Sequence, residues 1–110
     1  MHGVTRRFGG VSKKPFDSFN LGLHVGDDIE AVWENRRRLA KHLRVGPELL
    51  TCAQQVHGTE ISEVTEANVG AGAFQMDKAI PNSDAIFTCL EEVPLLLLVA
   101  DCVPVLVYDP

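Results

Sequence analysis

Ile29-Glu30-Ala31-Val32-Trp33-Glu34-Asn35-Arg36-Arg37-Arg38-Leu39-Ala40-Lys41-His42-Leu43 is the one stretch of this 110-residue chain with a sustained helical period. Ile29, Val32, Trp33, Leu39, Ala40 and Leu43 fall on one face, and Asp27 or Asp28 stands where an N-cap belongs, with Glu30 near the positive helix end. Gly46-Pro47 is the stop signal. Arg36 occupies the apolar stripe one turn before Ala40, so its guanidinium points inward, while Arg37 and Arg38 look outward. An inward arginine needs partners, because an unpaired buried charge is too costly to keep. Two uses are open: tying down the preceding loop through backbone carbonyls, or offering a bidentate fork to an anion.

Beyond the helix the period changes. Leu50 to Val56, Thr59 to Val64, Asp84 to Cys89, Leu95 to Val99 and Val103 to Val107 read as short strands, the last two as near-continuous apolar runs. Ala67 to Pro81, with Gly70 and Gly72, reads as a long loop, a candidate lid. Ahead of the helix, Phe8-Gly9-Gly10-Val11-Ser12 and Ser18 to Gly26 form a glycine-rich segment whose Phe16, Phe19, Leu21 and Leu23 suggest a structured loop packed on the core. One long helix followed by strands gives an α+β domain.

Apolar residues make up 45% and charged residues 23%, the balance of a soluble globular chain rather than a disordered one. A net charge of −5 without basic runs beyond Arg36-Arg37-Arg38 argues against a general nucleic-acid surface. Cys52, Cys89 and Cys102 have no CxxC spacing, so neither a disulfide framework nor a zinc ribbon is indicated, and a reducing cytoplasmic setting fits. The apolar stretch from Val93 to Tyr108 is broken by Pro94, Asp101 and Pro104, so no membrane span is expected.

Chemistry concentrates in Gln54-Gln55-Val56-His57-Gly58 and Ala100-Asp101-Cys102-Val103-Pro104, both placed where the chain leaves a strand. Alone, His57 is most simply a hydrogen-bonded structural histidine and Cys102 a small buried hydrophobe. Together, imidazole and thiolate suit zinc, with copper possible, or a thiol nucleophile with a histidine base. A catalytic zinc takes three protein ligands, so two do not suffice. Asp101 either orients a ligand, receives a proton or caps the strand break, and Asn20 is a turn residue by default. Asp84, after Pro81-Asn82-Ser83, has the same alternatives, with turn chemistry favoured.

Several segments occur in the order of one family: Gly9 to Ser12, Ser18 to Asp28, Asn35 to Leu39, Gln55 to Gly58 and Ala100 to Pro104. The chain resembles the purine nucleoside phosphorylase family of YfiH/YlmD-like proteins, long labelled laccase-domain or multicopper polyphenol oxidoreductases. The resemblance implies a zinc site with His57 and Cys102 as two ligands, the third coming from a later His-Ala-Gly-Trp-Arg-Gly motif that these 110 residues do not contain. Residues 1–110 are thus expected to form the N-terminal part of a single domain, whose strands near Leu95 to Val107 stay partly uncovered. The implied fold is a mixed-sheet α/β sandwich like the catalytic domain of cytotoxic necrotizing factor, here incomplete.

The implied reaction is phosphorolysis of adenosine, inosine and methylthioadenosine to free base and ribose 1-phosphate, with adenosine deamination as a side activity. His57, Cys102 and Arg36 are the candidate catalytic residues, and Arg36, Asn20 and Asp101 the candidate substrate contacts. The implied partners are purine nucleosides and phosphate, with a homo-oligomer possible. Three readings compete: a copper-dependent polyphenol oxidoreductase, a cysteine hydrolase, and a catalytically silent fragment that folds with a partner. The chain has no His-x-His pair of the kind multicopper sites generally use, which disfavours the first.

Overall fold

The computed structural model describes all 110 residues. Helix α1 spans Ile29–Leu43 and is capped by Asp28, whose carboxylate accepts the Glu30 N–H at 3.1 Å. It ends before the expected stop. Arg44 turns into the left-handed region (φ 59°), and its N–H and that of Val45 return to the last carbonyls, so the helix is closed before Gly46 is reached. Pro47 then opens a 3-10 turn, Pro47–Leu49.

Four short strands follow: β1 Thr51–Cys52, β2 Ile61–Glu63, β3 Ala85–Phe87 and β4 Leu95–Leu96. β1 pairs with β4 and β2 with β3, both in parallel, and an isolated parallel bridge joins Ala53 to Ile80. The chain is therefore a small α/β unit with two parallel strand pairs, where a mixed sheet was expected. Val103 to Val107 forms no strand: no neighbour offers it a ladder, and Val103, Val105 and Val107 are each at least 75% exposed. Leu95 and Val99 are exposed as well, in line with the expectation of uncovered apolar segments.

The segment from Ala67 to Pro81 is packed structure, not a lid. It lies along β1, with Cys52 donating to Ala71 O at 2.8 Å and Ile80 donating back to Cys52 O at 3.0 Å. Thr51 Oγ1 accepts the Gly70 N–H, and Trp33 Nε1 donates to Phe74 O at 2.9 Å while its ring meets Phe74 edge-on. Gly72 (φ 78°) is needed there, because a Cβ would sit 2.7 Å from that of Ala79 and 3.1 Å from that of Cys52.

Two small apolar clusters result. Ala40, Leu50 and Ala73 pack with Val45 between α1 and the loop; Ala53, Val64 and Ile80 pack with Val69, Ile86 and Val93 between the strand pairs. The helix face that looks inward is more polar than its apolar period suggested. Val32 and Ala40 are fully buried, but so are Asn35 and Arg36, while Ile29 is exposed. Asn35 accepts the Val11 N–H at 2.8 Å and donates to Ser12 Oγ and Asn20 O, so a polar side chain holds the glycine-rich loop on the helix.

Candidate active site at the carboxyl ends of β1 and β4

Adjacent parallel strands point the same way, so the segments that leave them emerge at the same end. Thr51 faces Leu95 and Cys52 faces Leu96 in register. His57 lies five residues past Cys52, and Cys102 six past Leu96. Carboxyl ends of neighbouring parallel strands are where open α/β folds place their ligands. Gln55 ties the two exits together: its Nε2 donates to Leu98 O at 2.8 Å and its Oε1 accepts the Leu98 N–H at 2.9 Å.

His57 is exposed and held in the left-handed region at φ 59°. The turn is fixed from outside. Asp84 accepts three successive backbone N–H groups, Val56 at 3.1 Å and His57 at 2.9 Å on Oδ1 and Gly58 at 2.8 Å on Oδ2. The Gly58 N–H, with the His57 and Val56 N–H groups and the positive side of His57, holds the Asp84 carboxyl below its ordinary value. Asp84 is thus a cradle for another loop rather than a residue serving its own turn. Asp101 is exposed at φ 73°, and Cys102 is exposed beside it; neither side chain makes a hydrogen bond.

Arg36 lies elsewhere. It is 1% exposed under the Gly72 turn, donating from Nε to Leu21 O (2.8 Å) and from Nη1 to Gly72 O (2.7 Å) and Ala73 O (3.0 Å), with Cys52 Sγ 3.5 Å away. Three carbonyls from two loops take up one side of the fork, which is the tie-down geometry. Nη2 is buried without a partner. Burial lowers the Arg36 pKa and raises that of Cys52, so the pair is an arginine beside a neutral thiol.

Asn20 caps its own loop: Oδ1 accepts the Gly22 N–H, and Nδ2 donates to Gly22 O and to Asp27 Oδ2. It meets Arg36 only through the chain, since Leu21 supplies the carbonyl for Nε. The segments carrying His57 and carrying Asp101 and Cys102 thus follow two paired strands that run the same way, while Asn20 and Arg36 belong to the glycine-rich loop and the helix beneath it. Sequence reasoning gave Gln55 no role and favoured a local turn role for Asp84 over an orienting one. The signal for Gln55 was its place in the same short motif as His57.

His57 and Cys102 supply an imidazole and a thiol, the donor types that zinc takes. No three His, Cys, Asp or Glu side chains of the chain gather into a metal-holding group. By donor type the two suit zinc, and a complete sphere needs a further ligand. No helix is long and apolar enough to cross a membrane.

Several proteins resemble the chain over most of its length. The chain is 46% identical over 108 residues to purine nucleoside phosphorylase YlmD of Geobacillus stearothermophilus, covering 98% of this chain and 39% of that protein. It is 44% identical to purine nucleoside phosphorylase SCO2081 of Streptomyces coelicolor, covering 98% and 42%. The crystal structure of the Bacillus licheniformis hypothetical protein YfiH superposes with a TM-score of 0.77 at 36% identity, over 79% of this chain and 33% of that one. The crystal structure of YlmD from Geobacillus stearothermophilus gives 0.72 at 48% identity, over 74% and 30%. The chain spans about two fifths of the length of the curated relatives it matches. Residues 1–110 match throughout the family model described as multi-copper polyphenol oxidoreductase laccase, and the chain belongs to that family.

Proposed function

We propose that this chain carries part of the active site of a purine nucleoside phosphorylase, with His57 and Cys102 as two donors to a zinc ion. The observation that supports this most is the parallel β1–β4 pair, which sends the His57 and Cys102 segments out at the same end. The relatives' shared name points to the same reaction class.

In phosphorolysis a phosphate oxygen forms a bond to the anomeric carbon as the glycosidic C–N bond breaks, and the purine leaves with a proton. The products are the free base and ribose 1-phosphate. Adenosine, inosine and methylthioadenosine are the proposed substrates, with deamination of adenosine as a second activity at the same place. A bound zinc would supply Lewis acidity. The chain's own groups have simpler tasks. The Gln55 clamp keeps the two exits in register, and Asp84 holds the His57 turn. Arg36 spends Nε and Nη1 on loop carbonyls and its unpartnered Nη2 is buried as well, so its proposed task is to hold the glycine-rich loop on the helix rather than to contact phosphate. Asn20 and Asp101 are lesser contacts. The complete domain is proposed to be cytoplasmic and to have the α/β sandwich architecture of the cytotoxic necrotizing factor type.

The test is hypoxanthine release from inosine, with and without phosphate, by this chain joined to the remaining segment of the Geobacillus relative. Phosphate-dependent release that disappears in His57→Ala and in Cys102→Ala is the expected result. Release that ignores phosphate, or that survives in both variants, overturns the reading.

A further inference from the structure

We infer that Asp84 is a positioning residue for His57, its carboxylate holding the turn that presents the imidazole. This rests on the reading of His57 as a metal donor.

Three consecutive N–H groups, from Val56, His57 and Gly58, converge on one carboxylate 26 to 28 residues away in sequence. Outside a helix N-terminus, successive amides are brought together by a turn with a left-handed residue, and His57 supplies one at φ 59°. For a residue with a Cβ the left-handed region is unfavourable, so the loop would otherwise relax. Nothing else offers compensation: no further hydrogen bond reaches the three amides, and Val56, His57 and Gly58 are all exposed. The acceptor is itself rigid. The Asp84 N–H donates to Glu60 O at 3.1 Å, and Ala85 next to it begins β3, paired with β2. A strand terminus therefore fixes the carboxylate, the carboxylate fixes three amides, and the amides fix the direction in which the His57 side chain leaves the backbone. Groups that orient a metal-binding histidine typically change metal affinity 10–100-fold when removed, roughly the range to expect here.

The experiment is a Zn2+ titration of this chain joined to the remaining segment of the Geobacillus relative, followed by NMR at the His57 imidazole, in wild type, Asp84→Asn and Asp84→Glu. Amide exchange at residues 56–58 is measured in the same samples, and the Trp33 indole N–H resonance, whose proton is donated to Phe74 O, checks the fold. Asparagine keeps the volume and one acceptor oxygen, so the fold persists while the second acceptor is lost. The expected result is a loss of zinc affinity at His57 of about tenfold in Asp84→Asn, with faster exchange at 56–58. Asp84→Glu, which keeps the carboxylate, should recover part of the affinity. Equal zinc affinity at His57 in wild type and Asp84→Asn overturns the positioning role while leaving the metal reading intact. A wild-type His57 signal that ignores zinc overturns the metal reading and this inference with it. If Asp84→Asn loses the Trp33 signal, the Asp84→Glu titration decides: partly kept zinc affinity with faster exchange at 56–58 and an intact Trp33 signal upholds the role, and lowered affinity with wild-type exchange at 56–58 overturns it.

Discussion

The Gln55 side chain and the Leu98 backbone face each other as two strands would, with one N–H donated each way at 2.8 and 2.9 Å. A primary amide thereby extends the β1–β4 ladder toward the end where His57 and Cys102 emerge. Gln55→Ala strands both Leu98 groups in a half-buried setting and should cost about 1–2 kcal/mol. Gln55→Glu keeps the acceptor for the Leu98 N–H but turns a carboxylate oxygen toward Leu98 O, and should cost at least as much. Urea unfolding of the two variants checks this; a glutamate variant as stable as wild type would show that the bond to Leu98 O contributes nothing.

Arg36 joins three pieces of chain: helix α1, the Leu21 loop and the Gly72–Ala73 turn. Arg36→Ala leaves those carbonyls without donors inside the protein and should destabilise it by about 3 kcal/mol or more. Arg36→Lys restores charge but not reach, because a single ammonium cannot span Leu21 O and Gly72 O as the planar fork does, and it should recover little. Thermal and urea unfolding report both. A lysine variant as stable as wild type would show that charge, rather than the fork, is what the site requires.

How much of this was legible beforehand depends on which force wrote the signal. The helix was readable because Val32 and Ala40 recur at its period and Asp28 caps it. The inward direction of Arg36 followed from the same period, and so did its tie to the preceding loop as one of two options. The strand pairs were harder. Their hydrogen bonds are non-local, and Val103 to Val107 has the composition of a strand but no neighbour to pair with. Asp84 leaned toward the local reading for a related reason: an aspartate after Pro81-Asn82-Ser83 looks like a turn former, and nothing local reveals that its acceptors face amides 26 to 28 residues away. Asn35, polar within a helix, carried no hint that it would be the buried anchor of the glycine-rich loop.

Acid should loosen the N-terminal loop through Asp27. Burial pushes its carboxyl up, but hydrogen bonds from Ser12 Oγ, Asn20 Nδ2 and the Asp28 N–H outweigh that and leave it below the ordinary 3.8. A depressed folded value means that the stabilisation is complete above the unfolded value and is lost as pH falls through the folded one. Asp84 shifts in the same direction and adds to the effect. Stability to urea should therefore be flat from pH 7 to about 5 and decline below 3.8. Asp27→Asn should lower the plateau and flatten part of the acid limb; a limb unchanged in this variant would remove Asp27 from the account.

His57 separates strain from function. Its left-handed backbone costs a residue with a Cβ about 1 kcal/mol, which glycine escapes. His57→Gly should therefore be about 1 kcal/mol more stable than His57→Ala, although both remove the imidazole and should abolish its zinc response equally. Urea midpoints and the zinc titration together check this. Glycine and alanine variants of equal stability would mean that the Asp84 cradle imposes no strain at this position.

Gly72 tests whether the Ala67 to Pro81 segment is as firmly packed as its bonds indicate. Alanine there must adopt φ 78° and also place its Cβ 2.7 Å from Ala79 Cβ. The backbone part should cost about 1–2 kcal/mol and the overpacking a further 1–3 kcal/mol. Gly9 provides the comparison, since it too has positive φ (100°) but an added Cβ would meet nothing within 4 Å. Gly9→Ala should show only the backbone part. The excess cost of Gly72→Ala then isolates the contact with Ala79 and Cys52. Because Gly72 O accepts from Arg36 Nη1, a turn displaced by alanine would also lengthen that bond. Combining Gly72→Ala with Arg36→Ala should therefore cost less than the sum of the two single changes, by more than the 0.5 kcal/mol or so within which independent sites add. Strict additivity would place the turn and the guanidinium in separate, uncoupled parts of the core.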